Sequence, residues 1–223
     1  MLVDVFPNIV FIKSAAAVAP MLIVEAELLA LTVGMVIIVS TGDTGSWNLQ
    51  RPRVESLLTG AWGSDAISDA FDCDFCEGTI QNISLENVGG DGLDISGSNL
   101  SISNMKAKDI KDKAFSVGEK SYAIIDNAHY ESVATGIAVK DSSSVIASNI
   151  ALENVLYDSF MTYIKKPFYL GNTKLEGKGY INDSGVESNL CVREKGTELN
   201  IDTIECNISE INVDELYRGR MKK

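Results

Sequence analysis

Phe71-Asp72-Cys73-Asp74, Leu93-Asp94-Ile95-Ser96, Phe115-Ser116-Val117-Gly118 and Ile137-Ala138-Val139-Lys140 are four short segments, each starting 22 residues after the last. Each alternates apolar and polar or small residues, the pattern of a strand with one buried face. The repetition extends through the intervening sequence. Ile83, Met105, Ala128 and Ile150 form a second apolar column, Leu85, Ala107, Tyr130 and Leu152 a third, and Val88, Ile110, Val133 and Val155 a fourth. Asn82, Asn104, Asn127 and Asn149 form a polar column. Steps of 22 and 23 place one extra residue near Glu119-Lys120, where a corner absorbs it.

A period in the twenties with several strands per unit marks a solenoid in which each coil packs only on its neighbours. A leucine-rich repeat has this length but needs a Leu ladder and an Asn in fixed frame, which these units lack. The fold expected is all-β: a single-stranded right-handed parallel β-helix with coils of about 22 residues, each residue lying roughly 4.8 Å over its counterpart one coil away. Like residues then stack along the axis, and Asn recurs at a corner because it tolerates turn geometry. The regular coils are expected over 64–175. Residues 1–63 read as an apolar segment and irregular cap, and 176–223 as further coils or a cap ending in a basic tail.

The chain has 223 residues, 45% of them hydrophobic, enough for a sizeable core. A formal net charge of −12 argues against nucleic acid as a partner, because phosphate binding needs a basic face. The apolar run Ala15 to Val39 contains Glu25, Glu27 and Pro20 and lacks a basic leader, so it gives no firm membrane span and no clear signal peptide. A buried first turn with a strand at Val36–Val39 is the plainer reading. Four cysteines form no dense disulfide framework. Cys73 falls in an inward column and reads as a small buried hydrophobe. Cys73 and Cys76 have redox or zinc-like spacing without a second ligand cluster, and Cys191 and Cys206 pair only if the tail segments are neighbours.

With Phe71 and Cys73 inward, Asp72 and Asp74 point outward, and the alternation turns Asp94, Ser96, Ser116 and Lys140 onto the same face. Asp69, Asp91, Asp112 and Glu119 fall at nearby corners. Stacked carboxylates such as Asp72 and Asp94 repel by roughly 3–4 kcal/mol at an effective dielectric near 20 and by about 1 in water. Three offsets are open. Calcium could bind Asp72, Asp74, Asp91 and Asp94; Lys113 and Lys140 could supply counter-charge; or backbone hydrogen bonds, water and salt could suffice. The screened ladder is the expectation taken forward, with no cofactor required.

The motifs Ser68-Asp-Ala-Phe-Asp-Cys-Asp-Phe75, Gly90-Asp-Gly-Leu-Asp-Ile-Ser-Gly-Ser98, Asp112-Lys-Ala-Phe-Ser-Val-Gly-Glu-Lys-Ser121 and Gly136-Ile-Ala-Val-Lys-Asp-Ser142, followed by Tyr163-Ile-Lys-Lys-Pro167, arrive in order. They resemble the coils of right-handed β-helix repeat proteins of pectate-lyase-like fold. The nearest likeness is to β-helix regions accompanying spore-coat-protein-H-type kinase-like domains. The resemblance implies an extracellular or cell-surface setting and a glycan or surface-protein ligand, and such proteins include lyases, hydrolases and non-catalytic scaffolds. The direct run of Ser64-Asp-Ala-Ile67 into Ser68-Asp-Ala-Phe71 departs from the pattern, as if one coil were missing.

Two function classes follow. A polysaccharide lyase or glycosidase would draw catalytic groups from Asp72, Asp94, Lys113 and Lys140, with Asp69, Asp74, Asp91, Ser96, Ser116, Glu119 and Asp141 facing the ligand. Stacking alone brings Asp72 and Asp94 to the separation of about 5 Å that a retaining glycosidase uses. The lone His129 lies beside an apolar column, and no arginine occurs between Val54 and Val192 to neutralise a uronate. The reading preferred on these grounds is a non-catalytic scaffold or binding module.

Overall fold

The computed structural model describes residues 64–178 and 191–202 in full and, elsewhere, the backbone of several strands. Its principal sheet is built almost entirely by parallel pairing of chain segments one coil apart. The chain is a parallel β-solenoid of about five turns, and no helix occurs among the described residues.

Phe71, Leu93, Phe115, Ile137, Phe160 and Cys191 stack in consecutive coils. All six are buried. The other three apolar columns pair in the expected register, and their members fill the same core. Burying each large aliphatic or aromatic side chain contributes about 1.5–3 kcal/mol, which is why divergent sequences keep the columns apolar. The strand before it that stacks on Phe71–Asp74 is Trp47–Gln50, in a step of 24 residues that puts Leu49 opposite Cys73. Arg53–Thr59 and Trp62–Ser64 likewise pair in parallel with Glu77–Val88. The expected strand at Val36–Val39 lies within Val36–Thr41, part of a separate three-stranded sheet. The basic tail and Cys206 lie outside the described residues, as do the side chains of 1–63.

Corners are set by left-handed backbone. Asn82, Asn104, Asn127 and Asn149 have φ of 56°, 57°, 57° and 54°, and a second column five residues on, Asn87, Asp109, Ser132 and Asn154, has φ of 56°, 53°, 55° and 56°. Asn and Asp reach this region at lower cost than most L-residues because their short polar chains bond locally. Asn104 Nδ2 donates to Asn82 Oδ1 at 2.9 Å and Asn127 Nδ2 to Asn104 Oδ1 at 2.6 Å; Asn149 donates instead to Asp126 at 2.7 Å. The extra residue sits where expected: Tyr122 stacks 23 residues after Asn99, and Glu119 and Lys120 both turn left-handed, at φ 61° and 64°.

At a third corner, side-chain hydroxyls replace sheet hydrogen bonds. Cys76 N–H donates to Ser98 Oγ at 2.8 Å, Ser98 N–H to Ser121 Oγ at 3.0 Å, and Ser121 N–H to Ser143 Oγ at 3.1 Å. These serines are buried, so each hydroxyl satisfies an amide that would otherwise be stranded. Cys73 is buried as expected, but it is no free thiol: it is disulfide-bonded to Cys76 within the same coil. Cys191 is also disulfide-bonded.

Candidate functional site

Asp72 stacks on Asp94, and Ser116, Ala138 and Met161 continue that outward column. Alternation fixes the direction of these side chains but not what covers them. Asp72 and Asp94 are half-buried, whereas Ser116, Ala138 and Met161 are shut off from solvent, so the sheet is buried on both faces in the later coils. The open part of the face is its early end, with Asp69, Asp72, Asp74, Asp94 and Ser96.

Lys140 bounds that open part. Its stem lies on Gly118, where an added Cβ would meet Lys140 Cε at 2.7 Å and the lysine stem would have to move. Lys140 Nζ then donates to Ser116 Oγ at 2.7 Å and stands 3.6 Å from Asp94 Oδ1. The second distance is an ion pair but too long for a hydrogen bond, and Asp94 Oδ1 is buried without a hydrogen-bond partner.

A second lysine lies at the adjacent corner. Lys113 Nζ is 2.9 Å from Asp91 Oδ1, 3.3 Å from Asp91 Oδ2 and 2.8 Å from Asp112 Oδ2. The Lys113 backbone N–H donates to the same Asp91 Oδ1 at 3.0 Å, just as Asp91 N–H donates to Asp69 Oδ1 at 2.6 Å one coil below. The Asp91 and Lys113 side chains are only 7% and 3% exposed. Two of the three possible offsets to carboxylate repulsion are therefore visible together: lysine pairing at Asp91 and Asp94, and backbone amides that donate to Asp69 and Asp91. Removing charges from water is costly, and an ion pair between coils compensates only when its hydrogen bonds are complete, as at Lys113.

These contacts separate the carboxyls chemically. Burial, then the charges of Asp74 and Asp94, raises Asp72 to about 6. Burial and the Asp91 charge raise Asp112 to about 6 against the pull of Lys113. Burial also raises Asp69, assisted by Asp91. Asp91 moves the other way: burial pushes it up, but Lys113 and Lys140 outweigh that and hold it below the ordinary carboxylate range. Burial alone would favour neutral Lys113, yet Asp91 and Asp112 keep it protonated.

The remaining candidates meet under a loop between Tyr163 and Lys174 that interrupts the regular coils expected over 64–175. Lys174 stacks on Ser144 after a step of 30 residues instead of 22, and the additional length folds back over two corners. Lys166 pairs with Glu119, and Tyr169 Oη donates to Glu119 Oε2 at 3.3 Å. Lys165 and Lys166 N–H groups donate to Asp141 Oδ1 at 2.7 and 2.6 Å, and Ser142 Oγ donates to the Tyr169 carbonyl at 2.7 Å. The loop holds Phe168 and Leu170 in solvent, 73% and 81% exposed; Phe75, 60% exposed, stands on the same corner in an earlier coil. Asp141 is thus a buried structural anchor, and Glu119 is occupied by the loop. His129, away from this face, pairs with exposed Glu153 at 3.2 Å.

Among the described residues, no group of three or more His, Cys, Asp or Glu side chains is placed to hold a metal ion. Asp91 and Asp94 each face a lysine instead. Comparison with protein-family models, curated proteins and solved structures gives no match.

Proposed function

We propose that this chain is a non-catalytic β-solenoid module of an extracellular or cell-surface protein, binding a glycan or another surface protein through the open end of its acidic face. The observation that carries this reading is the state of the two lysines. Lys113 and Lys140, the cations a lyase or glycosidase would draw on at this face, are both buried against carboxylates and hydroxyls. A general acid or base must reach the proton it moves, and groups closed off in this way serve cohesion between coils. The groups left accessible are Asp69, Asp72, Asp74, Asp94 and Ser96, with the Phe75 ring at their edge, a surface suited to hydrogen bonding and stacking. An oxidising compartment is supported by the Cys73–Cys76 disulfide and by the disulfide-bonded Cys191. Kinship with pectate-lyase-like repeat proteins is supported by the ordered coil motifs.

One observation favours the alternative, a glycoside hydrolase. Asp72, raised to about 6, stacks on Asp94, which resembles an acid paired with a nucleophile. A panel of neutral, uronate and amino-sugar polymers separates the two readings. Binding weakened by Asp72→Asn or Phe75→Ala, without product release, supports the module. Release of reducing ends or unsaturated sugars that Asp72→Asn abolishes overturns it.

A further inference from the structure

We propose that Lys113 and Asp91 form an intramolecular isopeptide bond, a covalent amide tie between adjacent coils. Four features needed for acyl transfer meet here. The nucleophile, Lys113 Nζ, is held against both oxygens of the Asp91 carboxyl, at 2.9 and 3.3 Å, from where a small shift out of the carboxyl plane would bring it to the carbon between them. The Lys113 backbone N–H, 3.0 Å from Asp91 Oδ1, is placed to stabilise the oxyanion that forms when Nζ adds. Asp112 Oδ2, 2.8 Å from the same nitrogen, is placed to accept and return its protons. The side chains of Asp91 and Lys113 are almost wholly excluded from water, which opposes hydrolysis of the product.

The step balances as a condensation. The ammonium transfers a proton within the carboxyl cluster, and neutral Nζ adds to the carboxyl carbon of protonated Asp91. One Asp91 oxygen then leaves as water, carrying two protons that began on Nζ, and the third Nζ proton remains on the amide. No oxidant, reductant or external reactant is needed. Asp112 suits the relay because its carboxyl titrates near 6 and takes up a proton in near-neutral conditions. The flanking carboxylates favour the charged amine, and Lys113 and Lys140 favour ionised Asp91, so both slow the reaction, but a bond made once per molecule needs no fast turnover. The product replaces two buried charges by a neutral amide. The rung below cannot do the same, because the residue stacked on Asp69 is Asp91 rather than a lysine.

Intact-mass spectrometry of the full reduced and denatured chain tests this directly. The expected mass is lower than that of the sequence by one water, and digestion should yield a branched peptide joining the segments that contain Asp91 and Lys113. Asp91-Gly92 could also lose water by forming a succinimide, so Lys113→Arg is the control: it retains the charge and cannot form the amide. Loss of the deficit in Lys113→Arg, and its loss or slower appearance in Asp112→Asn, supports the tie. A full mass in the folded wild-type chain after prolonged incubation overturns it. So does a deficit that persists in Lys113→Arg or disappears with hydroxylamine.

Discussion

Asn127 sits at a corner with φ of 57° and donates its side-chain amide to Asn104, combining a backbone role with a ladder role. Replacing it separates them. Asn127→Ala keeps a Cβ in left-handed backbone and loses the amide, so we expect a loss of about 1–2 kcal/mol in urea unfolding. Asn127→Gly removes the backbone penalty and should cost only a fraction of that; equal losses for the two variants would refute the backbone account. Asp94 poses a contest between two charges. At an effective dielectric near 20, its pairing with Lys140 at 3.6 Å contributes about 4.6 kcal/mol, against roughly 3.5 kcal/mol of repulsion from Asp72 one coil away. Lys140 is also the more deeply buried neighbour, so it should decide the sign. Asp94→Asn is expected to destabilise the chain by about 1 kcal/mol, where a screened ladder would make it neutral or stabilising. A higher melting temperature for Asp94→Asn would return the argument to the ladder.

At the scale of the strand, Phe115 lies between Leu93 and Ile137 with no exposure to solvent. Phe115→Asp puts an unpaired charge into a dry column and should cost more than about 4 kcal/mol, enough to abolish cooperative unfolding, while Phe115→Leu should remain folded. Unchanged thermal unfolding of the aspartate variant would remove Phe115 from the core. This column was legible because stacking repeats one requirement, burial, at a fixed step, and period-two alternation gives direction within each strand. The Asn corner was legible for the same reason. The hydroxyl corner was not: Ser98, Ser121 and Ser143 keep the same steps of 23 and 22 as the Asn column, but serines signal loops in sequence as readily as buried amide acceptors. Nor could alternation show that Ser116 and Met161, both outward, are sealed from solvent. Asp141 read as a surface group because its role depends on the loop of Lys165 and Lys166, which interrupts the period.

Across the whole molecule, acidic groups distributed over three coils make stability depend on pH in a direction their environments determine. Asp72 and Asp112 are raised from 3.8 to about 6, so the folded state takes up protons more readily than the unfolded chain between those values. Stability therefore rises as pH falls from above 6 toward 3.8, and the cost of ionised Asp72 is fully present only above its folded value. In the unlinked chain Asp91 acts oppositely, since its depressed value adds stability that is lost only at lower pH; an amide to Lys113 removes that contribution. The melting temperature should consequently peak in mildly acidic solution. Asp72→Asn should flatten the slope between about pH 4 and 6 and slightly raise the neutral-pH melting temperature, while Asp112 preserves part of the slope. An identical slope in Asp72→Asn would mean that the stacked aspartates do not govern the titration. The same variant tests calcium. If Asp72, Asp74 and Asp94 hold the ion, calcium should raise the wild-type melting temperature beyond magnesium or sodium at equal ionic strength, and Asp72→Asn should lose that increment. With Lys140 beside Asp94 and Lys113 beside Asp91, we expect matched salts to act alike, because the nearest lysines already compensate the two innermost carboxylates.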